Sequence, residues 1–492
     1  MEKGRRVQYF AAFALSLATS TMGVSSAWPT SVIPKFYSNQ TNLNITEEQV
    51  GTMLAISAPG FVVGSIATRF ILDMMGRRST VLTSAVPFAC GTWIAATANK
   101  HWLLYIMNFL WGFGTGMVSI VVTIYLAEIS DKDLRGRLSV GTRFMFNFGN
   151  LIMMSIGPFL SYEVLNFSIL VLPFIFFTAC LWIPESPYYY LKEGKVENAR
   201  KSLLRLKNDE NVEDELELLK HNVSEEMKSS SSAKELFTGA QYRRPIIIAA
   251  GLKVMQMMTG AMTIQQYLGR IMQEINTDME LSTFLIIFGA VKFIVGIMSL
   301  ILVDKVGRRP LLIYSFFGTA FSLAVAGTYF FLQEVAHVNQ SSLRSFGYIP
   351  FIAIIVSNVI STVGFNSIIR IIHGEIFPLN VKAVAMTSLN VFGGFLGFTV
   401  AKGYQAVKNI SGLCGVFWIF SSIAIFGAIF SYLTVPETRG KSLREIQDIL
   451  NFGASNGLDE ENRINDIHIE KDECTELKQL RKETDVKNEI CD

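Results

Sequence analysis

The sequence predicts an all-α membrane protein of twelve transmembrane helices, arranged as two six-helix halves with a helical loop between them. Three observations carry this expectation. Half of the 492 residues are hydrophobic and only 17% are charged, whereas soluble chains carry roughly 25% charged residues. Apolar runs of spanning length fall into two groups of six, separated by a polar gap. The charged motifs at the ends of these runs recur in the same order in both groups. The mean hydropathy of +0.36 excludes an ordinary soluble multidomain chain. With 43 basic against 41 acidic residues, no nucleic-acid partner is implied. Five Cys, an odd number, do not make a small disulfide scaffold. Cys90, Cys180 and Cys414 sit in apolar runs and are expected as small buried hydrophobes.

A bilayer core of about 30 Å takes roughly 20 apolar residues as a helix. The first run, 9–29, follows Lys3, Arg5 and Arg6. It is read as a retained helix rather than a cleaved leader, because further spans follow it without a break. The second, 50–71, stops at the charges of 73–78, and the third and fourth, 80–98 and 102–126, flank Lys100. The fifth, 138–160, is entered through Lys132, Arg135 and Arg137, and the sixth, 166–183, ends at Pro184. The gap 184–244 reads as short helices, with 213–220 as one amphipathic piece and 229–232 as a flexible joint. The second six runs are 245–268, 281–303, 310–332, 348–373, 384–405 and 412–434. The expected division is a half at 1–183, a linker at 184–244, a half at 245–436 and a charged tail at 437–492, with one helix near 442–450.

Basic residues in the short connections set orientation. One side collects Lys3, Arg5, Arg6, Arg77, Arg78, Lys132, Arg135, Arg137, Lys305, Arg308 and Arg309; the other has mainly Lys35, Lys100, Arg270, Arg344 and Lys408. Both termini are therefore expected in the cytoplasm of a multi-pass protein. The sequons at Asn39, Asn44 and Asn339 fall on the outer face and are candidate glycan sites, whereas that at Asn222 falls inside.

The repeat is the most specific feature. Asp73 to Arg78 (DMMGRR) matches Asp304 to Arg309 (DKVGRR). Glu128 with Arg135 matches Glu375 with Lys382, and Pro184-Glu185-Ser186 matches Pro436-Glu437-Thr438. Two halves with parallel repeats form a transporter layout, with the solute site near the midplane. Arg77, Arg78, Arg308 and Arg309 are expected to pair with Glu128, Glu185, Glu375 and Glu437 as a gating charge network. The simpler alternative is that the arginines only set topology and touch head groups.

These motifs resemble the sugar porter family of the major facilitator superfamily. Tyr125, Glu128, Arg135 and Gly136 resemble its fourth-to-fifth helix signature. Residues 184–195 (PESPYYYLKEGK) and 377–382 (FPLNVK) are similar to insect facilitated trehalose transporters in particular. The resemblance covers about 7–450 and implies the major facilitator fold and facilitative carriage of a sugar, trehalose or a hexose, across the cell membrane. The expected partners are that solute and the lipid bilayer. An organic-anion carrier, or a non-transporting sensor of the same fold, are the other readings.

The family's solute-contact positions are altered here. Of its seventh-helix pattern Gln256, Thr259 and Gly260 remain, Thr259 replacing Ser, while Gln265 and Gln266 continue that span. Arg143 and Lys292 stand where the family has Gln and Asn, and Arg370 where it has Trp. Gly393-Gly394 replaces an Asn-Trp pair, and Asn108 replaces an Arg. Lys253 adds a fourth cation, and no Asp or Glu lies mid-span to neutralise any of them. An unpaired Lys or Arg at a helix centre costs about 2.5–3.5 kcal/mol. A wet cavity, an anionic ligand, or drift in a relaxed site each account for them. The expected substrate residues are thus Gln256, Thr259, Gln265, Arg143, Lys292 and Arg370. No Cys/His cluster has metal spacing and no Ser/His/Asp set is discernible, so neither an enzyme nor a cofactor is expected.

Overall fold

The structure, a computed structural model, describes residues 3–38, 41, 43–207, 212–228, 236, 239, 242–275, 277, 279–302, 307–377, 379–437 and 445. Met1–Arg439 forms one compact unit. Of the remainder only Glu445 is described, and it is exposed. Asn39, Asp304, Lys305 and the side chain of Arg135 lie outside the described residues.

The first six long helices are α1 (Lys3–Tyr37), α2 (Glu47–Met75), α3 (Arg77–Thr97), α4 (His101–Ile129), α5 (Lys132–Ile156) and α6 (Tyr162–Cys180). Each outruns the apolar run that announced it or nearly matches it, because polar residues extend a helix once its centre is fixed in the bilayer. α2 shows how its start is set: Thr46 and Gln49 form a reciprocal capping box at its first turn. Three short helices follow, α7 (Pro187–Lys192), α8 (Val196–Lys207) and α9 (Glu213–Lys228). They share a small core of their own around Leu191, Leu203, Leu216 and Val223.

The second six crossings are less regular. The seventh is broken into α10 (Arg243–Met258) and α11 (Ala261–Glu274) at Gly260, whose φ of 68° is left-handed. α12 (Leu281–Leu302) and α13 (Arg308–Glu334) are continuous. The tenth is built from α15 (Tyr348–Val363) and α16 (Phe365–Ile376), after the short α14 (Gln340–Ser345). α17 (Leu379–Thr434) runs through two crossings, bent at Gly412 with φ 68° and ψ −173°. Ten stretches of the described residues are long and apolar enough to cross a membrane. The last of these, Val384–Thr434, holds two crossings. α5 is not among the ten, being entered through charges and carrying Arg143, yet it packs between α1 and α12.

Close helix contact relies on glycine where expected. A Cβ on Gly112 or Gly116 would run into the backbone of α2 at Ser57 or Phe61, and one on Gly114 into the Phe88 ring. Cys180 and Cys414 are buried, but Cys90 is exposed on α3, since an outward face is apolar in a bilayer and a small hydrophobe suits it.

Candidate functional site

At one end of the molecule the two repeated motifs are built alike. Glu185 accepts hydrogen bonds from the first amides of α3, Arg77 N–H at 2.8 Å and Arg78 N–H at 3.1 Å. Glu437 does the same at the start of α13, accepting from Arg308 at 3.0 Å and Arg309 at 3.1 Å. A carboxylate is favoured there by the helix dipole and the free N–H groups. The motif glycines are needed for this seat. A Cβ on Gly76 would lie 2.7 Å from Glu185 Oε2, and one on Gly307 2.8 Å from Glu437 Oε2.

The arginines divide their work. Arg77 is buried and grips Glu128 through Nε and Nη2 at 2.8–3.0 Å. Ser186 donates to the same carboxylate. Arg308 stands 3.7 Å from Glu375. Arg78 and Arg309 turn instead to the carbonyls of Leu181 (2.5 Å) and Tyr432 (2.7 Å). Asp73 pairs with Lys192 of α7 at 2.6 Å, and Lys382 lies beside Gly374. Lys207 of α8 ties Asp131 to Glu215 at 3.2 and 2.5 Å. Burial opposes its charge, but the Glu215 and Asp131 carboxylates outweigh that and hold its ammonium above the ordinary lysine value. The Arg77–Glu128 and Arg308–Glu375 pairs each stay within one half.

At the opposite end, charges cross between halves. Glu47 at the start of α2 meets Arg270 of α11 at 3.4 Å and Lys408 of α17 at 3.7 Å, and accepts from Gln405 at 2.8 Å. Glu274 holds Arg270 at 3.1 Å and Lys408 at 2.7 Å. Lys402 reaches Thr52 at 2.6 Å and Glu48 at 3.7 Å. About a turn deeper, Tyr267 and Tyr404 stack with centroids 4.1 Å apart. Below them Lys292 donates to Gln265 Oε1 at 2.5 Å, and Gln265 donates across the seam to Asn150 Oδ1 at 3.0 Å. Thr30 of α1 donates to the Gln265 carbonyl at 2.7 Å. The result is a layered seal joining α1 to α11, α2 to α17 and α5 to α12.

Beneath this seal lies a cavity of about 290 Å³, between α1, α2 and α4 of the first half and α10, α11 and α17 of the second. That is the low end of the ~300–1,000 Å³ usual for small-molecule pockets. Ser25, Asn108, Lys253, Thr263, Gln266 and Asn390 supply polar groups, and Trp111 an aromatic face. Gly393 makes room for Lys253, whose side-chain end occupies the space a Cβ would take.

The six expected substrate residues do not line this cavity. Gln256 donates to Asn366 of α16 at 3.0 Å. Thr259 is buried and donates to the Gln256 carbonyl at 2.7 Å. Gln265 and Lys292 belong to the seal. Arg143 of α5 is half-buried, and Arg370 of α16 is exposed with its Nε donating to the Asn366 carbonyl at 3.1 Å. Sequence reasoning missed Glu47, Glu48, Glu274 and Lys402 entirely. No local signal marks them, because Arg270 and Glu47 are 223 positions apart and Gln405 and Glu47 are 358 apart.

Of the sequons, Asn44 and Asn339 are exposed at the sealed end, Asn222 is exposed on α9, and Asn39 lies outside the described residues. Asn166 is buried and accepts from Trp28 Nε1 at 2.8 Å.

A family model for "Sugar (and other) transporter" matches residues 7–450. The chain is 29% identical over 450 residues to the facilitated trehalose transporter Tret1 of Bombyx mori, covering 91% of this chain and 87% of that protein. It is 29% identical over 448 residues to Tret1 of Apis mellifera ligustica, covering 90% and 88%. Among solved structures, the inward-open xylose transporter XylE from E. coli superposes with a TM-score of 0.72 at 19% identity, covering 89% of this chain and 99% of that one. XylE bound to 6-bromo-6-deoxy-D-glucose gives 0.67 at 19% identity, covering 91% and 99%. The likeness to XylE shows a shared fold, that of the major facilitator superfamily.

Proposed function

The chain belongs to the sugar transporter family, and we propose that its solute is a small sugar, trehalose or a hexose, which it carries by facilitated diffusion through alternating access. The observation that carries this is the cavity between the halves, lined in part by polar groups and closed at one end by contacts that cross the seam. A seal made between two bodies opens when they rock apart, so the solute reaches the cavity from one side at a time. Ser25, Asn108, Thr263, Gln266 and Asn390 offer hydroxyl and amide groups to sugar hydroxyls, and Trp111 a flat face for the ring. The curated relatives are named for trehalose, which supports that disaccharide ahead of other sugars. The span α1 carries no carboxylate in mid-helix, which supports uniport over proton coupling.

The protein resides in the cell membrane with both termini and the arginine motifs in the cytoplasm, and the seal faces outward. The weight of Lys and Arg at the motif end supports this orientation. Uptake of labelled trehalose and glucose into proteoliposomes tests the reading. The expected result is saturable flux with counterflow and no response to a proton gradient. Absence of sugar counterflow in sealed, correctly reconstituted vesicles overturns it.

A further inference from the structure

We propose that Lys253 makes the cavity selective for a sugar that carries one carboxylate, a hexuronate or hexonate, over the neutral hexose of the same size. This deepens the carrier reading and rests on it, since the solute is taken to bind in the cavity between the halves.

Lys253 lies on α10, in the second-half wall, and is the one charged residue among the described residues that line the cavity. The end of its side chain lies over Gly393 of α17, which is itself a lining residue. A Cβ on Gly393 would stand 2.3 Å from Lys253 Cε and 3.1 Å from Nζ, so the glycine is what lets the lysine reach along this wall. Among the described residues no ion pair joins Lys253 to a carboxylate, and no Asp or Glu lies in the cavity lining or in the middle of any span. A lysine at this depth is unfavourable to insert, and here it has no protein counterion.

The facing wall has the opposite character. Ser25 of α1 donates its hydroxyl proton to the Met22 carbonyl at 2.9 Å, and Asn108 of α4 donates to the Leu104 carbonyl at 3.1 Å. Ser25 is left with lone pairs, and Asn108 with its amide oxygen and one N–H. The first-half wall therefore accepts from ring hydroxyls, with Trp111 as a flat face beside them. A ring bearing a carboxylate at one end satisfies both walls at once, its hydroxyls on Ser25 and Asn108 and its acid group on Lys253.

Charge decides between solutes of this shape. A carboxylate makes a charge-assisted hydrogen bond to the ammonium, roughly twice as strong as one between neutral groups. A phosphate monoester brings up to about two negative charges near neutral pH. It would meet a single cation here, so one lysine favours one carboxylate.

The test uses the full-length purified protein. Affinities for glucose, glucuronate and glucose 6-phosphate are measured by calorimetry. Uptake of labelled glucose and glucuronate is measured in proteoliposomes whose membrane potential is followed with a dye. Glucuronate is expected to bind at least about tenfold more tightly than glucose, and its entry to carry negative charge inward, which glucose entry does not. Lys253→Met should bring the ratio of the two affinities to about one, whereas Lys253→Arg should keep the preference. A lysine that only filled space would change both affinities alike. Wild-type protein that binds glucuronate no more tightly than glucose overturns the proposal, and glucose counterflow in the same vesicles leaves the carrier reading standing. A preference that persists in Lys253→Met overturns the assignment to this lysine. Tighter binding of glucose 6-phosphate than of glucuronate overturns the carboxylate in favour of a phosphate. Tight glucuronate binding with no flux of either sugar upholds the site and overturns the carrier reading instead. Should Lys253→Met fail to fold, the wild-type ratio and Lys253→Gln decide the same question.

Discussion

Residue by residue, the arginines of one motif differ more from each other than from their counterparts in the other half. Arg77 and Glu128 leave side-chain exposures of only 6% and 13%, whereas Lys192 and Asp73 leave 39% and 54%. Removing one partner of a buried pair strands a charge and costs about 3–5 kcal/mol, while exposed pairs are worth about 0–1 kcal/mol. Arg77→Ala is thus expected to destabilise the protein severely, as measured by thermal unfolding in detergent, and Lys192→Ala hardly at all. Combining Arg77→Met with Glu128→Gln should recover much of the loss, since the stranded charge is gone. Equal effects of Arg77→Ala and Lys192→Ala would remove burial as the cause. The glycines beside these residues obey the same local logic. Gly76, at φ 85°, leaves the space that the Glu185 carboxylate occupies.

Among the elements, twelve crossings were readable because a bilayer imposes one length and one composition on each. Where they break was not. Gly260 and Gly364 sit in apolar runs like any other glycine, and only packing shows that the chain turns there. At Gly260 the Phe420 ring fills the place of a Cβ, so Gly260→Ala meets both a left-handed φ and a clash. A strained φ alone costs roughly 1–2 kcal/mol. The expected outcome is a lowered unfolding temperature together with reduced uptake; a variant as stable as wild type would show that the α10–α11 break relaxes freely. The motif glutamates were readable from the repeat, and they do meet the arginine motifs. The cavity lining was not, because the chosen positions on α10 and α11 lie next to the lining residues: Gln256 and Gln265 point to neighbours, while Met257 and Gln266 face the cavity. Connecting segments carry their own prediction. Asn44 and Asn339 are exposed at the sealed end, while Asn222 sits on a linker helix at the other. Glycosidase digestion of single Asn→Gln variants should locate glycan at the sealed end alone. Glycan on Asn222 would invert the proposed orientation.

Across the whole molecule, the two ends are built for opposite tasks. Motif-end pairs such as Arg77–Glu128 brace each half internally, whereas Glu47 and Glu48 of the first half clamp onto Arg270, Lys408 and Lys402 of the second, with Glu274 holding Arg270 and Lys408 in place from within that half. The clamp consists of partly exposed pairs, each worth about 0–1 kcal/mol. Several acting on one seam still bias a two-state equilibrium, because about 1.4 kcal/mol is a tenfold change in population. Changing Glu47 and Glu48 together to Gln removes both carboxylates that reach Arg270, Lys408 and Lys402 from across the seam, so the clamp loses its charge pairing between the halves. A cysteine at Leu54, in the cavity lining, then reports whether the seal has opened. Its labelling by an impermeant maleimide from the sealed side should rise roughly tenfold over the same cysteine alone, in a background lacking the native thiols. High salt should raise labelling of the parent protein in the same direction, since screening acts within a Debye length of about 8 Å at physiological ionic strength. The matching motif-end change, Glu128→Gln with Glu375→Gln, should instead raise access from the other side if those clusters meet across the seam in the alternate state. Should labelling at Leu54→Cys stay unchanged after loss of both carboxylates, the Thr30–Gln265 and Lys292–Gln265–Asn150 contacts hold the seal by themselves, and the charges are only its solvated rim.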